Sequence, residues 1–121
     1  IRMGDVSVVL PGDVGVEGER RMLPGLALGP IAIIKAPHHG SASSSTEAFV
    51  RAARPAAVVF SAGRGNRFGH PAPAVVDRYR RAGAQMFRTN EDGAVVLDTD
   101  GRTVQISTWS GRRVTLRRPG L

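Results

Sequence analysis

The chain has 121 residues, 41% of them apolar, enough for one small packed domain or part of a larger one. No apolar run approaches the roughly 18 residues that a membrane span needs, no signal peptide is visible, and with no cysteine disulfides and thiolate zinc sites are excluded. The net charge of +7 is uneven: residues 1–50 carry net −1 and residues 51–121 net +8. A basic half suits a polyanion, although sixteen arginines against one lysine also fit a codon-biased genome.

Ile1 to Asp5 reads as the end of one strand and a tight turn at Gly4-Asp5, so the chain is expected to be a fragment of something longer. Val6-Ser7-Val8-Val9-Leu10 is a β-rich run, ended by Pro11-Gly12-Asp13. A short helix is predicted over Val16–Leu23, closed by Pro24-Gly25, with a loop to residue 30. Ile31 to Ala36 is almost continuously apolar, as in a strand buried on both faces. Pro37-His38-His39-Gly40 and a serine-rich loop, Ser41 to Ser45, follow.

Ser44 and Glu47 have the spacing of a capping box, which predicts a helix from about Thr46 to Ala53, stopped by Pro55. Ala57 to Ser61 is a third strand. The loop from Gly63 to Pro71 is rich in Gly and Arg. Pro73 suits a first helical turn; Val75, Val76, Tyr79 and Ala82 recur at helical spacing, and Gly83 caps that helix. Ala84–Arg88, Ala94–Leu97 and Thr103–Trp109 read as three strands joined by hairpin turns at Asp92-Gly93 and Asp100-Gly101. The tail, residues 110–121, is predicted to be an edge strand or frayed. Strand–helix three times and then a β-meander is an α/β layered architecture.

Three apolar strands thus end in chemistry-bearing residues: Asp13, the pair His38-His39, and His70, the third of the chain's three histidines. Open α/β sheets place ligands at such strand ends. Asp13 can hold or bridge divalent cations, or cap the helix that follows it. His38 and His39 are adjacent and rarely point the same way. One metal ligand, with the other facing substrate, fits better than two ligands on one ion, and imidazole suits zinc, manganese or iron. His70 shares its loop with Arg64, Asn66 and Arg67, a set suited to phosphate. It also reads as a surface histidine leading into a helix. Ser41 to Ser45 offers hydroxyls and a helix N-terminus to a phosphate, or simply a polar cap.

Leu10-Pro11-Gly12-Asp13, Lys35-Ala36-Pro37-His38-His39-Gly40-Ser41, Asn66-Arg67-Phe68-Gly69-His70-Pro71 and Phe87-Arg88-Thr89-Asn90-Glu91-Asp92-Gly93-Ala94, in that order, resemble the metallo-β-lactamase-like domain of the ComEC family. These are membrane channel proteins of natural competence that take up single-stranded DNA. The resemblance covers about residues 1–109. It implies the second half of a four-layer αββα fold and a hydrolase with two divalent ions, Zn or Mn. Asp13 would be the bridging carboxylate and His39, or else His38, the late histidine ligand, with His70 catalytic and His38, Ser41, Arg64, Asn66, Arg67 and His70 facing substrate.

The resemblance further implies a nuclease that degrades the non-imported strand, on a soluble domain outside the bacterial plasma membrane. The partners would be DNA and the rest of the same polypeptide, namely the first half of the domain and the membrane channel. This segment itself would not insert in the bilayer. The family's His-x-Asp-x-Asp-His run is absent from this chain, so the segment alone is expected to bind metal weakly or not at all. Another hydrolase of the same superfamily, acting on a phosphodiester or a lactone, and a non-catalytic basic DNA-binding module are the other readings.

Overall fold

Successive side chains of a strand point to opposite faces, and in this chain both faces of the central strands are apolar. The computed structural model, which describes residues 1–120, satisfies both. In β3 (Ile31–Lys35), Ile31 and Ile33 enter one core while Ile34 enters another. In β4 (Ala57–Phe60), Ala57 and Val59 join the first set, Val58 and Phe60 the second. These two strands are the middle layer of a sandwich.

A five-stranded sheet runs β1-β2-β3-β4-β5. Its first strand, β1 (Arg2–Met3), pairs antiparallel with β2 (Val6–Val9) around the predicted turn, where Gly4 has φ of 57°. From there to β5 (Gln85–Arg88) every pairing is parallel, with Val6 opposite Ile31, Ile33 opposite Ala57 and Ala57 opposite Gln85. Parallel neighbours require crossovers. These are α1 (Val16–Met22), α2 (Glu47–Ala53) and α3 (Pro73–Arg81). Because consecutive strands advance in one direction and such crossovers share one hand, all three helices meet the same face. Phe49, Val50 and Ala53 of α2, Val75, Val76 and Tyr79 of α3, and Met22 of α1 pack there.

The opposite face is covered by an antiparallel sheet of β6 (Val95–Thr99), β7 (Thr103–Thr108) and β8 (Arg113–Arg117). Its inward residues, among them Leu97, Val104, Ile106 and Leu116, meet Val6, Ile31, Ile33 and Phe87. The stack is therefore helix, sheet, sheet. No helix among the described residues is long and apolar enough to cross a membrane.

Three local expectations need correction. Asp92-Gly93 is not a hairpin. The turn signals place Ala84–Arg88 in the meander, but Gln85 N donates to Ala56 O and β5 joins the parallel sheet. Asp92 accepts from Arg88 N across a helical turn, Thr89–Asp92. Gly93, at φ of 73° with Trp109 where a Cβ would stand, passes the chain to the other sheet. The third meander strand is the tail, which forms β8. The capping box is also displaced. Thr46 is the N-cap of α2 and accepts from Phe49 N, while Ser44 Oγ donates to Val14 O.

The third correction concerns the serine run, whose helix N-terminus is already filled from within. The fully buried Glu19 carboxylate accepts from Ser45 N and Thr46 N, placing its charge where the helix dipole favours an anion. Ser45 Oγ and Tyr79 Oη share a hydrogen bond of 2.8 Å. Burial pushes the Tyr79 phenol up to about 12, opposed by the Ser45 hydrogen bond and reinforced by Glu19. A raised folded pKa means that this contribution to stability is intact below about pH 10 and is lost as pH rises towards 12. Tyr79 is the sole tyrosine, so tyrosinate absorbance reports it alone. We expect a titration midpoint near 12 in the folded chain and near 10 in denaturant, with a melting temperature that falls across that interval.

Candidate metal centre

Parallel pairing of β2, β3 and β4 brings their C-terminal ends to one edge, and the chemistry-bearing residues follow those ends. The ring centroids of His38, His39 and His70 lie 5.8 to 6.4 Å apart. Asp13 Oδ1 lies 3.6 Å from His39 Nε2. The expected gathering of acid and histidines at one edge is present. Asp13 does not cap α1, whose N-cap is Gly15 without a side-chain bond.

The histidine pair sits in a tight turn, Pro37–Gly40, with His38 at φ of 49° and His39 at 59°. For residues bearing a Cβ the left-handed region costs roughly 1–2 kcal/mol each. The surrounding backbone enforces it. His38 N donates to Gly12 O, Ser41 N to His38 O, and Ala72 N to Gly40 O, each at 2.9 Å. The turn is thereby tied to the end of β2 and to the start of α3. Gly40 closes it at φ of 86°, and a Cβ there would stand 2.6 Å from Pro71 Cβ and 2.9 Å from Phe60 Cδ1.

His39 Nδ1 lies 2.8 Å from the Ser61 carbonyl oxygen. A carbonyl can only accept, so Nδ1 carries the hydrogen. In the neutral ring the lone pair is then on Nε2, which faces Asp13. This is how metal-binding imidazoles are held, one nitrogen donating to a carbonyl and the other free to ligate. Of the two adjacent histidines, His39 is the one whose Nε2 faces Asp13. The His38 ring makes no hydrogen bond among the described residues and lies edge-on to both other imidazoles.

The 3.6 Å separation is longer than a hydrogen bond. As an ion pair between side chains 44% and 66% exposed it would contribute about 0–1 kcal/mol, too little to offset two left-handed residues. Two atoms ligating one tetrahedral ion with bonds of about 2.1 Å stand roughly 3.4 Å apart. The 3.6 Å between Asp13 Oδ1 and His39 Nε2 is close to that spacing. No group of three or more His, Cys, Asp or Glu side chains among the described residues is arranged to hold a metal. A catalytic zinc generally takes about three protein ligands, more than the Asp13–His39 pair offers.

Beside the pair lies a cavity of about 490 Å3 lined by His39, Ser61, Asn66, Phe68, His70 and Thr89. His39 and His70 face one another across it, nearly parallel at 17° with centroids 6.4 Å apart. Asn66 acts inside the loop: its Nδ2 donates to Gly63 O and His70 O, and its Oδ1 accepts from His70 N. That clamp fixes where His70 sits. Arg64 and Arg67 are exposed and form no ion pair among the described residues. Ser41 Oγ bonds with Ser43 Oγ, while Ser44 and Ser45 are buried and out of a ligand's reach.

Sequence reasoning missed Ser61, which acts through its backbone carbonyl, and Thr89, whose Oγ1 accepts from Ala62 N at 3.0 Å and pins the loop's start. It also missed Phe68, a 70% exposed aromatic whose only signal was its place in an otherwise polar loop. The turn geometry is testable. Gly40→Ala should destabilise the chain by at least about 2 kcal/mol in a denaturant melt, from the left-handed backbone and the Pro71 clash together. Gly63→Ala, with nothing within 4 Å, should stay within about 0.5 kcal/mol.

No family model matches the chain, and no solved structure matches it. It is similar to the ComE operon protein 3 of Bacillus subtilis, 32% identical over 106 residues, or 88% of this chain and 14% of that protein. It is similar to the competence protein ComA of Neisseria gonorrhoeae, 33% identical over 95 residues, covering 76% and 14%. It is similar to recombination protein 2 of Haemophilus influenzae, 28% identical over 120 residues, covering 93% and 15%. The chain spans about one seventh of the length of these relatives, and over most of its own length it is similar to a segment of much longer competence proteins.

Proposed function

We propose that the chain is the second half of a four-layer αββα domain of the metallo-β-lactamase type within a competence DNA-uptake protein. We further propose that the assembled domain is a metal-dependent nuclease acting on the strand that is not imported. The observation that carries this reading is the His39–Asp13 pair, with Nδ1 committed to Ser61 O and Nε2 turned to Oδ1 at 3.6 Å. The names of the relatives support the competence setting. The upstream half of the domain would complete the ligand set, and the membrane channel would lie elsewhere on the same polypeptide, with this domain outside the plasma membrane.

Asp13 and His39 would hold the metal, Zn or Mn, with Asp13 shared between two ions and His38 facing substrate. When bound, such ions polarise a phosphoryl oxygen and lower the pKa of water. The chain's own residues do the rest. Arg64 and Arg67 attract the phosphate backbone, and Asn66 holds His70 at the cavity wall. His70 hydrogen-bonds a phosphate oxygen or protonates the departing ester oxygen as a water oxygen joins phosphorus and the P–O bond breaks. A positioned general acid is typically worth 10²–10⁴-fold.

The test uses the protein with its upstream half. Asp13→Ala should lose bound metal and DNA cleavage together; full metal content with normal turnover would refute the assignment. His70→Ala should lower cleavage about 10²–10⁴-fold with metal content and melting temperature unchanged. If His70 only organises the loop, the same variant would lower the melting temperature and leave the rate per folded molecule intact. Arg64→Ala or Arg67→Ala should reduce the slope of log affinity against log salt by about 0.7–0.9 for each phosphate that the protein no longer neutralises.

A further inference from the structure

Phe68 is unexplained by metal binding or acid catalysis. The residue is 70% exposed although it lines the same cavity as His39 and His70. Its ring lies 28° from parallel with the His70 imidazole at a centroid distance of 5.7 Å. The Arg67 guanidinium stands 5.4 Å from the ring centroid. The loop is not a free tether, because the Asn66 side chain holds the backbone of both Gly63 and His70. The ring is therefore presented at a fixed place on the rim of the site.

A rigid exposed aromatic beside a cationic side chain is how proteins bind unpaired bases, each of which offers a π face. We propose that Phe68 is a stacking platform for one nucleobase of a single strand, adjoining the nucleotide whose phosphate meets His70 and the His39–Asp13 pair. This rests on the nucleic-acid reading above and adds a substrate preference to it. Within a duplex each base is stacked on its neighbours and must be unstacked before it can use the platform. The site should therefore favour an unpaired strand or a frayed end over continuous duplex. Arg67, which stands over the ring in the free chain, would give way to the base and turn to its phosphate.

The test is binding of labelled oligothymidylate, an abasic deoxyribose-phosphate oligomer of the same length, and a blunt hairpin duplex, read by fluorescence anisotropy on the full chain. Wild type should bind oligothymidylate about 5- to 150-fold more tightly than the abasic oligomer, with the duplex the weaker of the two base-containing probes. Phe68→Ala should bring that ratio near one while leaving abasic affinity unchanged, and Phe68→Trp should restore it. A melt of each variant shows that the fold is intact. A ratio near one in wild type, equal weakening of both single-stranded probes by Phe68→Ala, or no binding of either would overturn the proposal. A preserved, Phe68-dependent ratio without metal-dependent cleavage by the intact domain would overturn the nuclease reading and leave the platform standing.

Discussion

The hydrogen bond between His39 Nδ1 and the Ser61 carbonyl at 2.8 Å is the interaction on which the site depends. It joins the end of β3 to the end of β4. It fixes the ring's tautomer, and so decides which nitrogen meets Asp13. It also explains the strained turn. The chain doubles back after Pro37 through two left-handed residues, and this imidazole ends next to that carbonyl. The strain of roughly 1–2 kcal/mol per residue is more than an exposed His–Asp pair returns. Its persistence is the kind of outlier from which a functional role is reasonably inferred.

The rest of the molecule makes that geometry stiff. Apolar residues on both faces of β3 and β4 place these strands between two cores, so their ends cannot slide. A one-residue slip would exchange the two faces, sending Ile33 towards the helices and Ile34 towards the second sheet. Each loop beyond a strand end is then held by its own polar contacts. Gly12 O receives His38 N, the Asn66 amide brackets His70, Thr89 Oγ1 anchors Ala62, and the buried Glu19 carboxylate seals the serine loop. Most of these bonds join part-buried groups, for which an unpaired state is costly to the extent that water is excluded. Arg64 and Arg67, on the same loop as His70, are exposed and form no ion pair among the described residues.

Much of this was legible in the chain. Continuous apolar runs ending in Pro-Gly-Asp, Pro-His-His-Gly and the residues before Gly-His-Pro located three parallel strand ends, because strands buried on both faces have no polar alternation to mislead. The helix from Pro73 carried its own start and stop signals and runs where they placed it, Pro73–Arg81. What failed was local and depended on distant partners. Ser44 looked like a cap, yet its hydroxyl goes to Val14 O, thirty residues away in sequence. Asp92-Gly93 looked like a hairpin, but β5 is drawn into the parallel sheet by Ala56 and by β4, a pairing that local turn chemistry does not encode. The contact that orients the His39 ring is made to a backbone carbonyl, which no residue type announces. Phe68 went unread because an aromatic in a loop has no period to reveal its direction.

We propose that His39 presents a bare Nε2 to Asp13 for a shared cation. Long-range 1H–15N NMR of the chain's three histidines, followed by titration with Mn2+, tests it directly. We predict that His39 is the Nδ1–H tautomer when neutral, and that Mn2+ broadens the signals of Asp13 and His39 first while those of Asp98 and Asp100 on the second sheet remain sharp. A His39 ring protonated on Nε2 when neutral, or broadening that begins at Asp98 and Asp100 and spares Asp13, would contradict it.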